Sequence, residues 1–312
     1  MFLFDAHCDT AVTAREQNMS LYDNGLQLSL KRLFEYDAPV QVFSVWLDKK
    51  YHGEAYAATV RFYDFFKREI AAFPDKIAIA GSYADIMRNR ENGAATAILG
   101  IEGGEALEGD IGRLRDLYGL GARVVTLTWN WVNALGCGAA AEGGDDTGMT
   151  EFGLEVIAEM SRLGMIADVS HLSRKSFGDA LKAARGPVIA SHSNCHAVCG
   201  HRRNLTDAEL KRLADNGGVM GINFCDAFLK DGGGSGLEDI LRHIGHAISV
   251  AGDGHIGLGC DFDGIERGPR GFDNVSDLKK LFYALEKLYG IATAERIFGG
   301  NFMRVAKQIL NK

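Results

Sequence analysis

Residues 1–10 read MFLFDAHCDT, in which an apolar run at 3–6 passes into the polar segment Asp5-Ala6-His7-Cys8-Asp9. Because side chains alternate across a strand, Asp5, His7 and Asp9 are expected on one face, with Ala6 and Cys8 on the other. The end of this strand would then present an imidazole and a carboxylate together, as a metal site with nitrogen and oxygen ligands requires. A single His-x-Asp pair is also typical of a surface turn, so its meaning depends on the rest of the chain.

Apolar runs typical of strands recur along the chain and alternate with amphipathic patterns typical of helices, which indicates βα units and a parallel sheet. The strands are expected at 3–6, 40–46, 96–101, 123–128, 165–169, 188–190, 219–223 and 256–259, with a further short run at 77–80. The helices are expected at 54–72, 151–163, 174–184, 207–215, 237–250 and 276–289. About eight such units predict an α/β fold, a (β/α)8 TIM barrel, although an open doubly wound sheet has the same local pattern. No repeat or linker divides the chain, so residues 1–312 are expected to form a single barrel domain.

Composition argues against several classes of protein. The 312 residues are 46% hydrophobic and 24% charged, as in globular proteins. With 34 Lys and Arg against 41 Asp and Glu, the net charge of −7 argues against nucleic acid as a partner, because phosphate backbones attract basic surfaces. No run of about 18 apolar residues is present that could span a membrane. The first residues lack a signal-peptide pattern and the six cysteines lack a paired spacing, so a cytoplasmic protein with reduced thiols is expected.

Further residues that can bind metals follow other expected strands, as His7 and Asp9 follow the first. They are Glu102 after 96–101, His171 after 165–169, His192 after 188–190 and Asp261 after 256–259. In an α/β barrel the carboxyl ends of the strands converge on one mouth, so residues distant in sequence would meet around one centre. Three histidines and three carboxylates are the composition of a two-metal hydrolytic centre.

Several short motifs follow one another along the chain: Asp5-Ala6-His7-Cys8-Asp9, Glu102-Gly103-Gly104, Thr126-Leu127-Thr128, Asp168-Val169-Ser170-His171, Ser191-His192-Ser193, Arg202-Arg203-Asn204 and Gly259-Cys260-Asp261-Phe262-Asp263-Gly264. In this order they resemble the motifs of the membrane dipeptidase (renal dipeptidase) family of zinc metallopeptidases, peptidase family M19. The resemblance implies a catalytic (β/α)8 TIM barrel of the metal-dependent hydrolase type. Gly300-Asn301-Phe302-Met303-Arg304-Val305 is similar to the family's terminal helix, so the resemblance covers nearly the whole chain.

The resemblance implies a role for each matching residue. Five residues would bind two zinc ions per chain, or other divalent metals: His7 and Asp9 the first, His171 and His192 the second, with Glu102 bridging. Asp261 would be the catalytic carboxylate, which takes a proton from the attacking water and delivers it to the leaving amine. Arg203 would hold the terminal carboxylate of the substrate through a bidentate contact.

Two positions depart from the family pattern. Where the family commonly has a histidine that contacts the substrate near the scissile carbonyl, this chain has Trp129, whose indole cannot exchange protons. Asn130 and Asn133 are candidate polar replacements, and Cys225 stands where some relatives have an aromatic residue. The candidate substrate contacts are therefore Arg203, Trp129, Asn130 and Asn223.

Together these implications predict a dinuclear zinc dipeptidase that acts on dipeptides with a free C-terminal carboxylate, including L-Xaa-D-Xaa. Two alternatives stay open: an amidase, lactonase or cyclic-imide hydrolase on the same barrel, which Trp129 would favour, and a non-catalytic metal-binding scaffold. A small dipeptide is the expected partner, and a homodimer is expected because such barrels are often symmetric dimers. The loop after His192 also carries His196 and His201, for which packing and a site role both stay open.

Overall fold

The computed structural model describes residues 1–141 and 146–311, and these residues form a nine-stranded parallel sheet. Its strands are β1 (Phe4–Cys8), β2 (Val40–Trp46), β3 (Ile77–Ile79), β4 (Ala95–Glu102), β5 (Ala122–Thr126), β6 (Ile166–Asp168), β7 (Ile189–Ser193), β8 (Val219–Ile222) and β9 (Ile256–Leu258). Eight of these described strands close into a barrel, because β1 pairs with both β2 and β9 and β2 pairs with β4. The predicted (β/α)8 barrel is confirmed, and each expected strand has its ends within three residues of the expected positions.

The short run at 77–80 forms β3, which lies outside the closed ring. It pairs with the first residues of β4, at 95–97, whereas β5 pairs with residues 99–102 further along the same strand. β2 pairs with one edge of β4 along its length. The opposite edge pairs first with β3 and then, further along, with β5. β3 therefore extends the sheet at the amino-terminal end of the barrel, away from the ends that carry the polar residues.

Helices follow most of the strands. They are α1 (Thr10–Glu16), α2 (Leu30–Leu33), α3 (Ala55–Ala71), α4 (Tyr83–Glu91), α5 (Ile111–Gly119), α6 (Glu151–Leu163), α7 (Arg174–Ala183), α8 (Asp207–Asp215), α9 (Asp226–Leu229), α10 (Leu237–Ala251), α11 (Leu278–Tyr289), α12 (Ile291–Glu295) and α13 (Asn301–Ile309). The six expected helices are present as α3, α6, α7, α8, α10 and α11, with ends within two residues of those expected. At the start of α8, the side chains of Thr206 and Glu209 each accept the other's backbone N–H, a capping box that fixes where the helix begins. Among the described residues, no helix combines the length and the apolar character needed to cross a lipid bilayer.

α13 closes the amino-terminal end of the barrel. The Phe302 ring lies 5.5 Å from the Phe4 ring, and a Cβ at Gly257 would lie only 2.2 Å from it. Val305 and Ala306 of the same helix join a buried apolar cluster with side chains from the starts of the strands. This end of the barrel is therefore filled with apolar side chains, and the polar residues lie at the opposite end.

Candidate active site

A β-bulge in β1 decides which way His7 faces. Asp5 pairs with Gln41 of β2, but Cys8 pairs with Phe43, so β1 contains one extra residue between them. Because Gln41 and Phe43 lie on one face of β2, Asp5 and Cys8 lie on one face of β1 and His7 lies on the other. The prediction that Asp5 and His7 share a face is therefore wrong.

A second bulge, in β7, does the same for His192. Ala190 pairs with Met220 and Ser193 with Ile222, so β7 also has one residue more than its partner. His192 consequently points into the barrel, where simple alternation from the start of the strand would turn it outward.

A buried carboxylate holds each bulge. In β1, Asp5 Oδ1 accepts hydrogen bonds from the backbone N–H groups of His7 (3.2 Å) and Cys260 (3.0 Å). In β7, Asp168 Oδ1 accepts from the backbone N–H groups of Ser191 (2.8 Å) and Ser170 (2.9 Å). The N–H groups of His7 and Ser191 lie within the bulges, where the strand ladder is interrupted and a backbone donor needs another acceptor. The N–H groups of Cys260 and Ser170 belong to the neighbouring segments after β9 and β6, so each carboxylate also ties its bulge to the next strand.

Left-handed backbone brings two further residues to the site. His171, after β6, has φ of 68°, and Asp261, after β9, has φ of 61°. Such a conformation costs a non-glycine residue on the order of 1–3 kcal/mol and persists only where the surrounding structure enforces it. Both residues turn at the carboxyl ends of their strands, and their side chains meet those of His7 and His192.

Six side chains meet at the carboxyl-terminal mouth of the barrel, and none is more than 8% exposed: His7, Asp9, Glu102, His171, His192 and Asp261. Glu102 lies at their centre. Its Oε1 is 2.9 Å from His171 Nε2 and 3.3 Å from His192 Nε2, and its Oε2 is 3.6 Å from His7 Nε2. His7 Nε2 is also 3.6 Å from Asp9 Oδ2 and 3.8 Å from Asp261 Oδ1. All six residues proposed from the strand ends are thus brought together.

This donor set fits divalent metal ions. Two groups of side chains, His7 with Glu102 and His192, and His7 with Asp9 and Asp261, place their ligand atoms within 4.8 Å of one another. Among the described residues, His7 Nε2 and Asp9 Oδ1 are buried without a hydrogen-bond partner. Buried polar atoms are costly when unpaired, and a cation between them would satisfy both. Imidazole nitrogens and carboxylate oxygens are also ligands that zinc accepts.

The pKa shifts of two of the carboxyl groups and two of the imidazoles fit the same interpretation. Burial, followed by the negative charge of Glu102, raises the pKa of Asp9 to about 6. Burial raises the pKa of Asp261 to about 8. Burial lowers the pKa of His171 to about 4 and that of His192 well below its usual value, so both imidazoles are neutral, the form that binds metals. A divalent cation would offset the repulsion among these carboxylates and favour their charged forms.

Each of these two neutral imidazoles is oriented through its other ring nitrogen. His171 Nδ1 lies 2.9 Å from Asn130 Oδ1, and His192 Nδ1 lies 2.7 Å from Ser191 Oγ. Ser191 Oγ in turn donates to Asp168 Oδ2 at 2.6 Å. Such partners fix the ring orientation and leave Nε2 free for a metal ion. Ser191 and Asp168 were missed as orienting residues from the sequence. The signals there are that both stand in motifs quoted above and that both are polar residues within or beside apolar strands.

We expect Ser191→Ala to lower the affinity for the metal that His192 binds by about 10- to 100-fold, because the imidazole loses the partner that orients it. Competition with a chromogenic chelator would measure the affinity. Ser249→Ala is the matched control, since that exposed hydroxyl donates to His246 O, a backbone carbonyl on its own helix. Equal metal affinities for the two variants would contradict the orienting role of Ser191.

A cavity of about 590 Å³ opens at this mouth, a size typical of small-molecule sites. Trp129 and Asn130 both line it, and the Trp129 ring lies 5.8 Å from the His171 ring. Asn223 is fully buried, and its Nδ2 donates to Asp261 Oδ2 at 3.0 Å. The structure thus places Asn130 against His171 and Asn223 against Asp261.

Arg203 is 5% exposed and lies beside the polar cluster. Its Nη2 donates to His192 O at 3.3 Å, and its Nε has no hydrogen-bond partner among the described residues. Burial lowers the pKa of Arg203, while the charges of Asp261 and Glu102 favour its protonated form. His201 lies next to Arg203, and its Nδ1 accepts a hydrogen bond from the backbone N–H of Arg203 at 3.3 Å. The Nε–H group of Arg203 is therefore a hydrogen-bond donor that a ligand beside the polar cluster could use.

Gly264 was missed as a site residue from the sequence. A Cβ at this position would lie 2.1 Å from Asp9 Oδ2 and 2.5 Å from Asp261 Oδ1, closer than real Cβ atoms approach other atoms. The neighbouring Asp263 accepts hydrogen bonds from Thr10 Oγ1 (2.5 Å) and Gln27 N (2.7 Å), and so fixes the loop. The sequence signal was the glycine directly after the Asp-x-Asp pair.

Comparison with known proteins identifies the family. The family model for membrane dipeptidase (peptidase family M19) matches residues 1–312. An uncharacterized dipeptidase of Schizosaccharomyces pombe is 34% identical over 307 residues, which cover 92% of this chain and 74% of the relative. The crystal structure of dipeptidase AC, an M19 metallopeptidase, matches with a TM-score of 0.92 and 25% identity, over 100% of this chain and 99% of that one. A metallopeptidase from Rhodobacter sphaeroides, liganded with a phosphinate mimic of L-Ala-D-Ala, shares the fold, with a TM-score of 0.89 and 24% identity over 99% of each chain. The chain is therefore a metallo-dipeptidase that belongs to the membrane dipeptidase family, peptidase family M19.

Proposed function

We propose that this enzyme holds two zinc ions and hydrolyses dipeptides that carry a free C-terminal carboxylate, with L-Xaa-D-Xaa among them. The observation that carries the proposal is the buried Arg203 guanidinium beside a cluster of three histidines and three carboxylates, with an Nε that no described residue pairs. A buried cation without a full set of partners is costly, and a substrate carboxylate would supply the missing acceptors in bidentate form.

The two zinc ions would be held by the residues around Glu102: His7 and Asp9 the first, His171 and His192 the second, with Glu102 between them. When bound, zinc ions supply a hydroxide near neutral pH and polarise a carbonyl oxygen. The short distances from Glu102 Oε1 to His171 Nε2 and His192 Nε2, and from its Oε2 to His7 Nε2, support this division.

Asp261 would move the proton. Asn223 Nδ2 holds its Oδ2, while Oδ1 lies 3.8 Å from His7 Nε2 and faces the centre. The carboxylate would accept a proton from the attacking water and then donate it to the amine nitrogen of the leaving amino acid. Burial raises the pKa of this carboxyl group, which favours its holding the proton between the two transfers.

The experiment that tests the proposal combines metal analysis with a matched substrate set on one preparation. We expect two zinc ions per chain and cleavage of L-Ala-L-Ala and L-Ala-D-Ala. The C-terminal amide L-Ala-L-Ala-NH2 should react at least about tenfold more slowly, because Arg203 would lose its anionic partner.

Arg203→Lys provides the matched variant, since lysine keeps the charge but loses the planar pair of donors. We expect its KM for L-Ala-L-Ala to rise by at least about tenfold, with little change for the amide. Equal rates for acid and amide in the wild-type enzyme would contradict the carboxylate requirement. A zinc-loaded enzyme that ignored every dipeptide and opened lactones or cyclic imides would contradict the proposed activity as a whole.

A further inference from the structure

Two tryptophans form one wall of the cavity. Trp46 ends β2 and Trp129 follows β5, and their ring centroids lie 5.3 Å apart. Both side chains line the cavity that contains Glu102 and Asp261. We call this pair the aromatic wall. It is a large apolar surface beside a metal centre whose other lining residues are mostly acidic or polar.

The Trp129 ring of the aromatic wall is packed between two other rings, those of Trp131 and His171. Trp131 packs against Trp129 with ring centroids 4.4 Å apart, and its own Nε1 donates to Glu105 Oε1 at 2.6 Å. On the side of the metal centre, the Trp129 ring is nearly parallel to that of His171, with 26° between the planes. A preorganised aromatic surface can bind an apolar group without first becoming ordered.

The topology of the barrel places the aromatic wall opposite Arg203. In the ring order β1, β2, β4, β5, β6, β7, β8, β9, the strands that carry Trp46 (β2) and precede Trp129 (β5) are each three positions from β8. Arg203 lies in the loop that leads from β7 to β8. The guanidinium lies 5.6 Å from the Phe228 ring, on the β8 side of the mouth. Arg203 and the aromatic wall are therefore on opposite sides of the polar cluster.

This arrangement sets the direction of a bound dipeptide. With its carboxylate at Arg203 and its peptide carbonyl at the polar cluster, the C-terminal residue lies on the β7–β8 side, beside Cys225 and Phe228. The N-terminal residue then extends across the centre toward Trp46 and Trp129. We infer that the aromatic wall selects dipeptides whose N-terminal side chain is large and apolar; this inference rests on the proposed function.

The magnitude follows from the area that such a side chain buries. Complete burial of a leucine- or phenylalanine-sized group corresponds to about 10- to 100-fold in affinity. We therefore expect kcat/KM for L-Phe-L-Ala to exceed that for Gly-L-Ala by about this factor. The ratio of kcat/KM for L-Ala-L-Phe to that for L-Ala-Gly, which differ in the C-terminal residue, should stay the same when the aromatic wall is changed.

The experiment compares the wild-type enzyme with Trp129→Ala and Trp129→His. The ratio of kcat/KM for L-Phe-L-Ala to that for Gly-L-Ala should fall by at least about tenfold in Trp129→Ala and by a smaller factor in Trp129→His. Tyr283→Ala is the matched control, because it removes an aromatic ring that is 62% exposed on α11 and should leave the ratio at its wild-type value. Calorimetric Kd values for phosphinate mimics of the same two dipeptides should show the same change without turnover.

The outcomes separate this inference from the proposed function. If the wild-type enzyme cleaves both dipeptides equally well, or if Trp129→Ala lowers both values by the same factor, the inference is overturned while the dipeptidase activity stands. A change in selectivity for the C-terminal residue would likewise overturn it, since the substrate would lie in the opposite direction. If no dipeptide is cleaved, the proposed function fails first.

Discussion

Asp261→Asn is expected to lower kcat by about 100- to 10,000-fold while the enzyme keeps its metal, because a general acid–base contributes a factor of this size. The amide has the shape of the carboxyl group and its oxygen can still accept the hydrogen bond from Asn223 Nδ2, but it cannot take up a proton. Asparagine also tolerates the left-handed backbone that residue 261 adopts, with φ of 61°, so the change adds no strain. The loss would therefore report chemistry rather than folding.

The measurement is kcat for L-Ala-L-Ala together with zinc per chain by elemental analysis. Asp75→Asn, at an exposed aspartate, controls for the loss of one negative charge and should have wild-type activity. Near-wild-type turnover in Asp261→Asn would remove Asp261 from the mechanism. Loss of zinc in the same variant would instead make Asp261 a metal ligand.

Gly264→Ala is expected to lower both metal content and turnover, the latter by at least about 100-fold. The added Cβ would lie 2.1 Å from Asp9 Oδ2 and 2.5 Å from Asp261 Oδ1, so one or both carboxylates must move. Displacing a catalytic group by about 1 Å is enough to cost on the order of 100-fold in rate. The effect is steric, because Gly264 is not among the residues with positive φ.

Gly254→Ala is the matched control, since a Cβ added there would have no atom of the described residues within 4 Å and its φ is not positive. Zinc per chain, kcat and the thermal unfolding midpoint should be measured for both variants. We expect both to fold, with the loss of zinc and activity confined to Gly264→Ala. Full zinc content and full turnover in Gly264→Ala would contradict this prediction, because they would show that the loop around residue 264 can shift without moving Asp9 or Asp261.

The strands and the residues at their ends could be predicted because both produce patterns among residues that are adjacent in the sequence. Short β-branched and apolar runs alternate with amphipathic helical patterns, and Glu102 and Asp261 stand where such runs stop. The parts of the site that were missed depend on distances between segments far apart in sequence. Ser191 matters because its hydroxyl donates a hydrogen bond to Asp168 on the neighbouring strand. Gly264 matters because the carboxylate of Asp9, 255 residues earlier in the sequence, lies against it.

The sequence by itself determined the α/β class, the order of the strands and the kinds of side chain at their ends. Only the tertiary structure decided that the sheet closes and that His7 and His192 face inward. Alternation counted along β1 placed Asp5 with His7, but a bulge in β1 and another in β7 each shift the register by one residue. The physical reason is that register depends on bonds between distant segments, such as Asp5 with the Cys260 N–H and Asp168 with the Ser191 N–H, and local propensity carries no information about them.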